Sequence, residues 1–199
     1  MATEGSSRNS SVLPLDRQRI ETERLVLRPP RPDDAERLAA LANHREIARN
    51  LGLMPHPYTV DDARAFIARA ACIEPPGASL AVTLKAEGGS LIGVAGYGKR
   101  ADTGLMDMGY WIGIPWWGNG YATEAARAVV AHAFEIGGLD MLPSGYHADN
   151  PASGHILTGK LGFETVGREM QFSAGQGAAV ETILVRLTRA RWQAARAAA

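Results

Sequence analysis

Trp117-Gly118-Asn119-Gly120-Tyr121-Ala122-Thr123-Glu124-Ala125 runs a turn of small residues straight into a segment of helical period, whose apolar stripe is Ala122, Ala126, Val129, Val130, Ala133 and Phe134. Glycine at 118 and 120 and alanine at 122 let the backbone come close to a ligand. The first-turn N–H groups of the helix lack internal partners and lie at the positive end of its dipole, so the turn reads as a cradle for a pyrophosphate. Two other phosphate loops are disfavoured by residue type. The chain has no G-x-x-x-x-G-K followed by Ser or Thr, and the turn does not open an early βαβ unit with G-x-G-x-x-G and a distal acidic residue. Neither kinase-type nor NAD chemistry is favoured.

The 199 residues are 46% hydrophobic and carry 21 basic and 21 acidic side chains, a formal net charge of zero. That length suits one domain with its own core. Balanced charge leaves no electrostatic footprint for nucleic acid or for an anionic membrane surface. A single cysteine, Cys72, excludes an intramolecular disulfide and a multi-cysteine metal site, and it suits a reducing compartment. The apolar runs are too short to span a bilayer and the N-terminus has no signal-peptide core. The expectation is a cytoplasmic protein without metal, nucleic-acid partner or membrane partner.

Residues 1–18, rich in Ser, Asn and Gly, read as a disordered tail, 19–189 as the folded domain, and 190–199 as an Ala/Arg-rich C-terminal tail. Within the domain the periods give a strand over 22–28, a helix after Arg31-Pro32-Asp33, and a helix capped by Thr59 with Asp62 reaching back. Strands over 79–85 and 91–99 follow, joined by a glycine turn, the second apolar on both faces and therefore central. A strand at 106–114, the helix at 120–136, a strand at 144–148, a short helix from Pro151 and strands at 163–170 and 180–188 complete the order. His44 and His132 read as helix-surface residues, and Cys72 as a small apolar residue.

Trp117 to Ala122 fits the pattern of Gln, Arg or Trp, two residues, Gly, one residue, then Gly or Ala, preceded by the strand Met108–Ile114. A second block, Asn150-Pro151-Ala152-Ser153 followed by Lys160-Leu161-Gly162-Phe163, lies one helix and one strand later. Together they resemble the acetyl-CoA motifs of the GNAT N-acetyltransferase superfamily over residues 20–188. With Met54-Pro55-His56-Pro57-Tyr58-Thr59 they are similar to the branch that includes the ribosomal-protein alanine acetyltransferases. The resemblance implies a single α+β domain, a mixed and mostly antiparallel sheet of about seven strands flanked by about four helices. It also implies a splay between the strand ending near 114 and the one beginning near 144, which admits acetyl-CoA as cosubstrate. The implied activity is acyltransfer to a primary amine, either a protein N-terminus or a small amine, by a monomer or homodimer. A degenerate domain binding acyl-CoA as a sensor or assembly module is the alternative.

The resemblance also distributes roles. Trp117, Gly118, Asn119, Gly120, Tyr121, Ala122 and Thr123 form the cradle, and Trp111, Ile112 and Ile114 the rail along which pantetheine lies. Asn150 reaches towards the pantetheine amides. A base must take the proton of the attacking ammonium; Asp107 is the first candidate, on the strand where relatives often carry Glu, with His147 and Tyr146 as rivals. Adjacent strand residues point to opposite faces, so at most one of those two faces the site. Leu157 stands where many relatives carry a tyrosine acid, which leaves Ser153 to donate to the departing sulfur or merely to satisfy helix N–H groups. His56 and Tyr58 line the amine-substrate wall or pack the loop. Asn119 replaces a common Lys or Arg, so phosphate binding leans on backbone N–H groups and on nearby Arg127 or His155. The short helix after Ser153 has one residue more than the family spacing, with Gly159 the surplus, which points to a π-bulge or a looser last turn.

Overall fold

The computed structural model describes residues 19–74, 76–100 and 104–198; the expected tail at 1–18 lies outside them. Thr22 accepts the Leu25 N–H on its hydroxyl and closes a tight turn, which divides the expected first strand into β1 (Ile20–Glu21) and β2 (Leu25–Arg28). β3 (Ala78–Leu84), β4 (Ser90–Lys99) and β5 (Met106–Ile112) then pair in sequence, all antiparallel. β4 is buried over most of its length, as two apolar faces require of a central strand.

After β5 the sheet changes character. β6 (Met141–His147) runs parallel to β5 and meets it at one bridge, Met108 to Ser144, where the Ser144 hydroxyl donates to the Met108 carbonyl at 2.8 Å. The ladder stops there, and this is the expected splay. β8 (Ala178–Thr188) and β7 (Glu164–Ser173) complete an eight-stranded sheet in the order β1-β2-β3-β4-β5-β6-β8-β7.

Strand alternation sends two apolar sets to opposite faces. Leu25, Leu27, Leu80, Val82, Met108 and Ile112 pack with Val129, Val130 and Phe134 of α4 (Tyr121–Glu135). Ala81, Leu91 and Val94 pack on the other face with Leu38 of α1 (Ala35–Ala42) and Ile67 of α3 (Val60–Ala71), which α2 (Arg45–Ala48) separates in the chain. Thr59 caps α3 with the anticipated capping box. α5 (Pro151–Gly154) passes directly into a π-helix, His155–Lys160, so the surplus residue near Gly159 is absorbed as a wider turn.

The structure adds elements that composition concealed. α2 is too short to show a period. The Ala/Arg stretch expected as a tail forms α6 (Arg189–Ala197), capped by the Thr188 hydroxyl and seated through Trp192 on Phe134, ring centroids 5.2 Å apart. His132, expected at the surface, is buried instead, its Nδ1 3.0 Å from the Tyr97 hydroxyl; it sits on the side of α4 that covers β4. No helix among the described residues is long and apolar enough to cross a membrane.

One buried ion pair secures the start of α1. Arg28 grips Asp34 through two bonds of 2.8 Å, and the Arg31 N–H adds a third at 2.6 Å. Burial pushes the Asp34 carboxyl up, but these bonds outweigh it and hold the group below its ordinary 3.8. A folded value below the unfolded one means stability that is present above the unfolded value and lost as pH falls through the folded one. Asp34→Asn should therefore lower stability by about 1–3 kcal/mol at neutral pH and flatten the acid-side decline. Urea denaturation at neutral and acid pH checks both; an unchanged midpoint at neutral pH would refute the expectation.

Candidate active site

The splay opens into a cavity of about 740 Å³ lined by β5, the Trp117–Thr123 turn, α5 and α2. At its cradle end Gly118 and Gly120 adopt φ of +76° and +79°, which favours glycine, and a Cβ placed on Gly118 would meet no atom within 4 Å. The space before the turn is thus free for a ligand, and the first-turn N–H groups of α4 face it from the dipole's positive end. Tyr121, Ala122 and Thr123 also line the cavity.

The loop carries no cation of its own at Asn119, and one arrives through space. Arg24, in the β1–β2 turn, donates from Nη1 to the Asn119 carbonyl at 2.9 Å and from Nε to Glu124 at 2.7 Å, its guanidinium 4.5 Å from the centre of the Tyr121 ring. Burial pushes the Glu124 carboxyl up, but bonds from the Thr22 hydroxyl, the Arg24 N–H and the guanidinium bring it below the usual carboxylate range. Nothing local in the sequence marks Arg24, which lies far from the loop it serves.

The phase of the rail follows from the β4–β5 register. The Gly113 N–H bonds to the Ile92 carbonyl and Trp111 stands opposite Val94, so the amides of 107, 109, 111 and 113 face β4. Those of Tyr110 and Ile112 face the gap. Of the expected rail residues, Ile112 therefore presents backbone there, its carbonyl already taking the Trp117 indole N–H at 2.6 Å. Trp111 lines the cavity while its amides turn to β4, and Ile114 falls in a 3-10 turn outside the lining.

Asn150 caps α5 by accepting the Ser153 N–H on its side-chain oxygen at 3.2 Å, which leaves its NH₂ to serve the cavity. The Ser153 hydroxyl is therefore not the cap. It lies 3.1 Å from the Tyr110 hydroxyl, so the two groups meet across the splay. Burial pushes the Tyr110 phenol up to about 12, with the Ser153 bond pulling the other way. Leu157 is fully buried.

The candidate bases separate. Asp107 lies outside the cavity lining, 3.8 Å from Arg100. His147 is buried, with Nδ1 2.8 Å from the Arg49 carbonyl, whereas the Tyr146 ring packs over Gly154. These two neighbours take opposite faces, and neither lines the cavity. The carboxylates that do are Asp149, paired with Arg49 at 2.6 Å, and Glu46, exposed on α2. Tyr58 is buried among α1 and α3 and His56 is exposed, both outside the lining. The far wall, residues 49–52, is pinned by the β7–β8 turn: Gln176 donates to the Arg49 carbonyl at 2.9 Å and the Ala174 N–H to the Gly52 carbonyl at 2.8 Å. Sequence reading missed Glu46 because its helix carries no periodic signal.

Residues 24–164 match the family profile described as the acetyltransferase (GNAT) domain, and the chain belongs to that family. It is an N-acetyltransferase, of a family that moves an acetyl group from acetyl-CoA to an amine. The uncharacterized N-acetyltransferase YoaA of Bacillus subtilis is 29% identical over 175 residues, spanning 86% of this chain and 97% of its own. RimJ of Mycobacterium smegmatis, solved in complex with CoA-disulfide, has a TM-score of 0.70 at 19% identity, covering 86% of this chain and 89% of that one. Ribosomal-protein-S5-alanine acetyltransferase from Vibrio fischeri has a TM-score of 0.71 at 20% identity, covering 87% and 98%. At these identities the two structures share the fold.

Proposed function

We propose that the enzyme acetylates a primary amine by direct attack within a ternary complex, acetyl-CoA entering from the cradle and the amine from the end walled by α2. The observation that carries this reading is the continuity of one cavity from Gly118 to Glu46 through the splay. Acetyl-CoA supplies an activated acyl thioester; the chain supplies position, a proton acceptor and help for the departing thiolate. Holding the two reactants in register accounts for about 7–11 kcal/mol in favourable cases. The Tyr110 and Ile112 backbone orients the pantetheine arm, with the Asn150 NH₂ opposite. Glu46, which lines the cavity, is the carboxylate to which the amine's proton would pass; Asp107, outside the lining beside Arg100, would take it only through an intervening water. Ser153 donates to the leaving sulfur. The acceptor class is a protein N-terminus or a small amine.

Release of CoA thiol, assayed with N-terminal peptides and small amines in parallel, tests the reading. Turnover with one class is expected, and removing the base by Glu46→Gln should lower the rate about 10²–10⁴-fold, with partial recovery at higher pH; the same loss in Asp107→Asn, with Glu46→Gln unaffected, would move the base to Asp107. Binding of acetyl-CoA without turnover on any acceptor would refute it in favour of the sensor.

A further inference from the structure

A second hollow, of about 630 Å³, lies behind the cradle and shares Gly120 and Thr123 with the first cavity. Three cations from separate parts of the chain line it: Arg24 from the β1–β2 turn, Arg127 from α4 and Lys160 from the end of the π-helix. Their commitments differ. Arg24 is held by Glu124 and the Asn119 carbonyl, and both Glu124 oxygens are taken, one by the Thr22 hydroxyl at 2.6 Å and the Arg24 N–H at 2.9 Å, the other by Arg24 Nε. Arg127 and Lys160 have no ion pair among the described residues, and the remaining carboxylate of the hollow, Glu23, is exposed. The fold thus brings two uncommitted cations to one hollow while using neither to hold itself together.

We infer that this hollow receives the ribose 3′-phosphate of coenzyme A between Arg127 and Lys160. The inference rests on the acetyl-CoA reading above. A pyrophosphate on the cradle carries two arms; the pantetheine arm follows the splay, and the shared wall at Gly120 and Thr123 gives the nucleoside arm its way into the second hollow. A phosphomonoester bears about −1.5 to −2 charges at neutral pH and three acceptor oxygens. Two cations on different helices suit such a group, since both can donate to it at once. A nucleoside without that phosphate would leave both unsatisfied.

Titration calorimetry with CoA and 3′-dephospho-CoA tests the assignment without recourse to turnover. The unaltered protein should bind CoA at least about tenfold more tightly than 3′-dephospho-CoA. Arg127→Ala with Lys160→Ala should erase that preference by weakening CoA alone, and Lys160→Arg should preserve it. Both residues are exposed, so the substitutions leave the cores intact. Equal affinities in the unaltered protein, or an undiminished preference in the double variant, would overturn the 3′-phosphate assignment while leaving the cradle standing. Failure of both ligands to bind would overturn the cradle and this assignment together.

Discussion

Gly120→Glu should abolish acetyl-CoA binding, lowering affinity by at least about a hundredfold in calorimetry. Two effects combine. Gly120 sits at φ +79°, where a side-chain-bearing residue is strained by roughly 1–2 kcal/mol. The larger effect is electrostatic. A Cβ at this position would lie 3.5 Å from Arg24 Nη2, so the new carboxylate meets Arg24 and the N-terminus of α4 together and takes the place of the proposed pyrophosphate. Gly120→Ala carries the strain without the charge and should lose far less. Because an anion suits a helix N-terminus, the glutamate variant should remain folded, and its thermal transition serves as the control. Unchanged affinity would remove the cradle from the proposed mechanism.

Ser153→Ala should lower kcat about 10²–10³-fold, the range for a lost donor to developing negative charge, with little change in KM for acetyl-CoA. The substitution leaves the α5 cap in place, since Asn150 accepts the residue-153 N–H from its own side chain. Tyr110 gives the prediction a second arm. Its phenol, pushed up to about 12, keeps its proton across any ordinary assay range and can donate to Ser153, which turns the serine's own proton towards the cavity. Tyr110→Phe should therefore lower kcat by a smaller factor. The double variant should be no worse than Ser153→Ala alone, because the phenol acts only through the serine. Full kcat in Ser153→Ala would exclude the hydroxyl from thiolate departure; additive losses would give Tyr110 a separate role.

Features written in neighbouring residues were legible before any coordinates. The glycine turn at 118–120, the Thr59–Asp62 box, the central position of β4 and the π-turn near Gly159 each rest on a few consecutive positions whose chemistry admits few conformations. What escaped depends on distance through space. Arg24 and Glu46 lie outside both motifs, and only the assembled fold brings Arg24 to the Asn119 carbonyl and Glu46 to the cavity. His132 looked superficial because a polar residue on a helix carries no mark of the Tyr97 hydroxyl that awaits it. The rail's phase was ambiguous for the same reason: alternation says that Trp111 and Ile112 face opposite ways, but only pairing with β4 decides which amides are spent. Trp192 is the one aromatic residue by which α6 packs, with Arg189 and Arg191 adding bonds to the Phe134 and Gly162 carbonyls, and one aromatic residue in an Ala/Arg run makes no period.

The single Met108–Ser144 bridge also bears on how far such a scaffold can be hardened. Extending the ladder between β5 and β6 would pair more backbone and stiffen the sheet, yet each added rung would consume an amide that the proposed pantetheine arm would use. Selection for robustness and selection for turnover thus compete for the same few peptide groups. Hardening of this enzyme is open at its helix caps and peripheral strands; at the joint, under the proposed mechanism, a weak seam is the condition of having a catalyst at all.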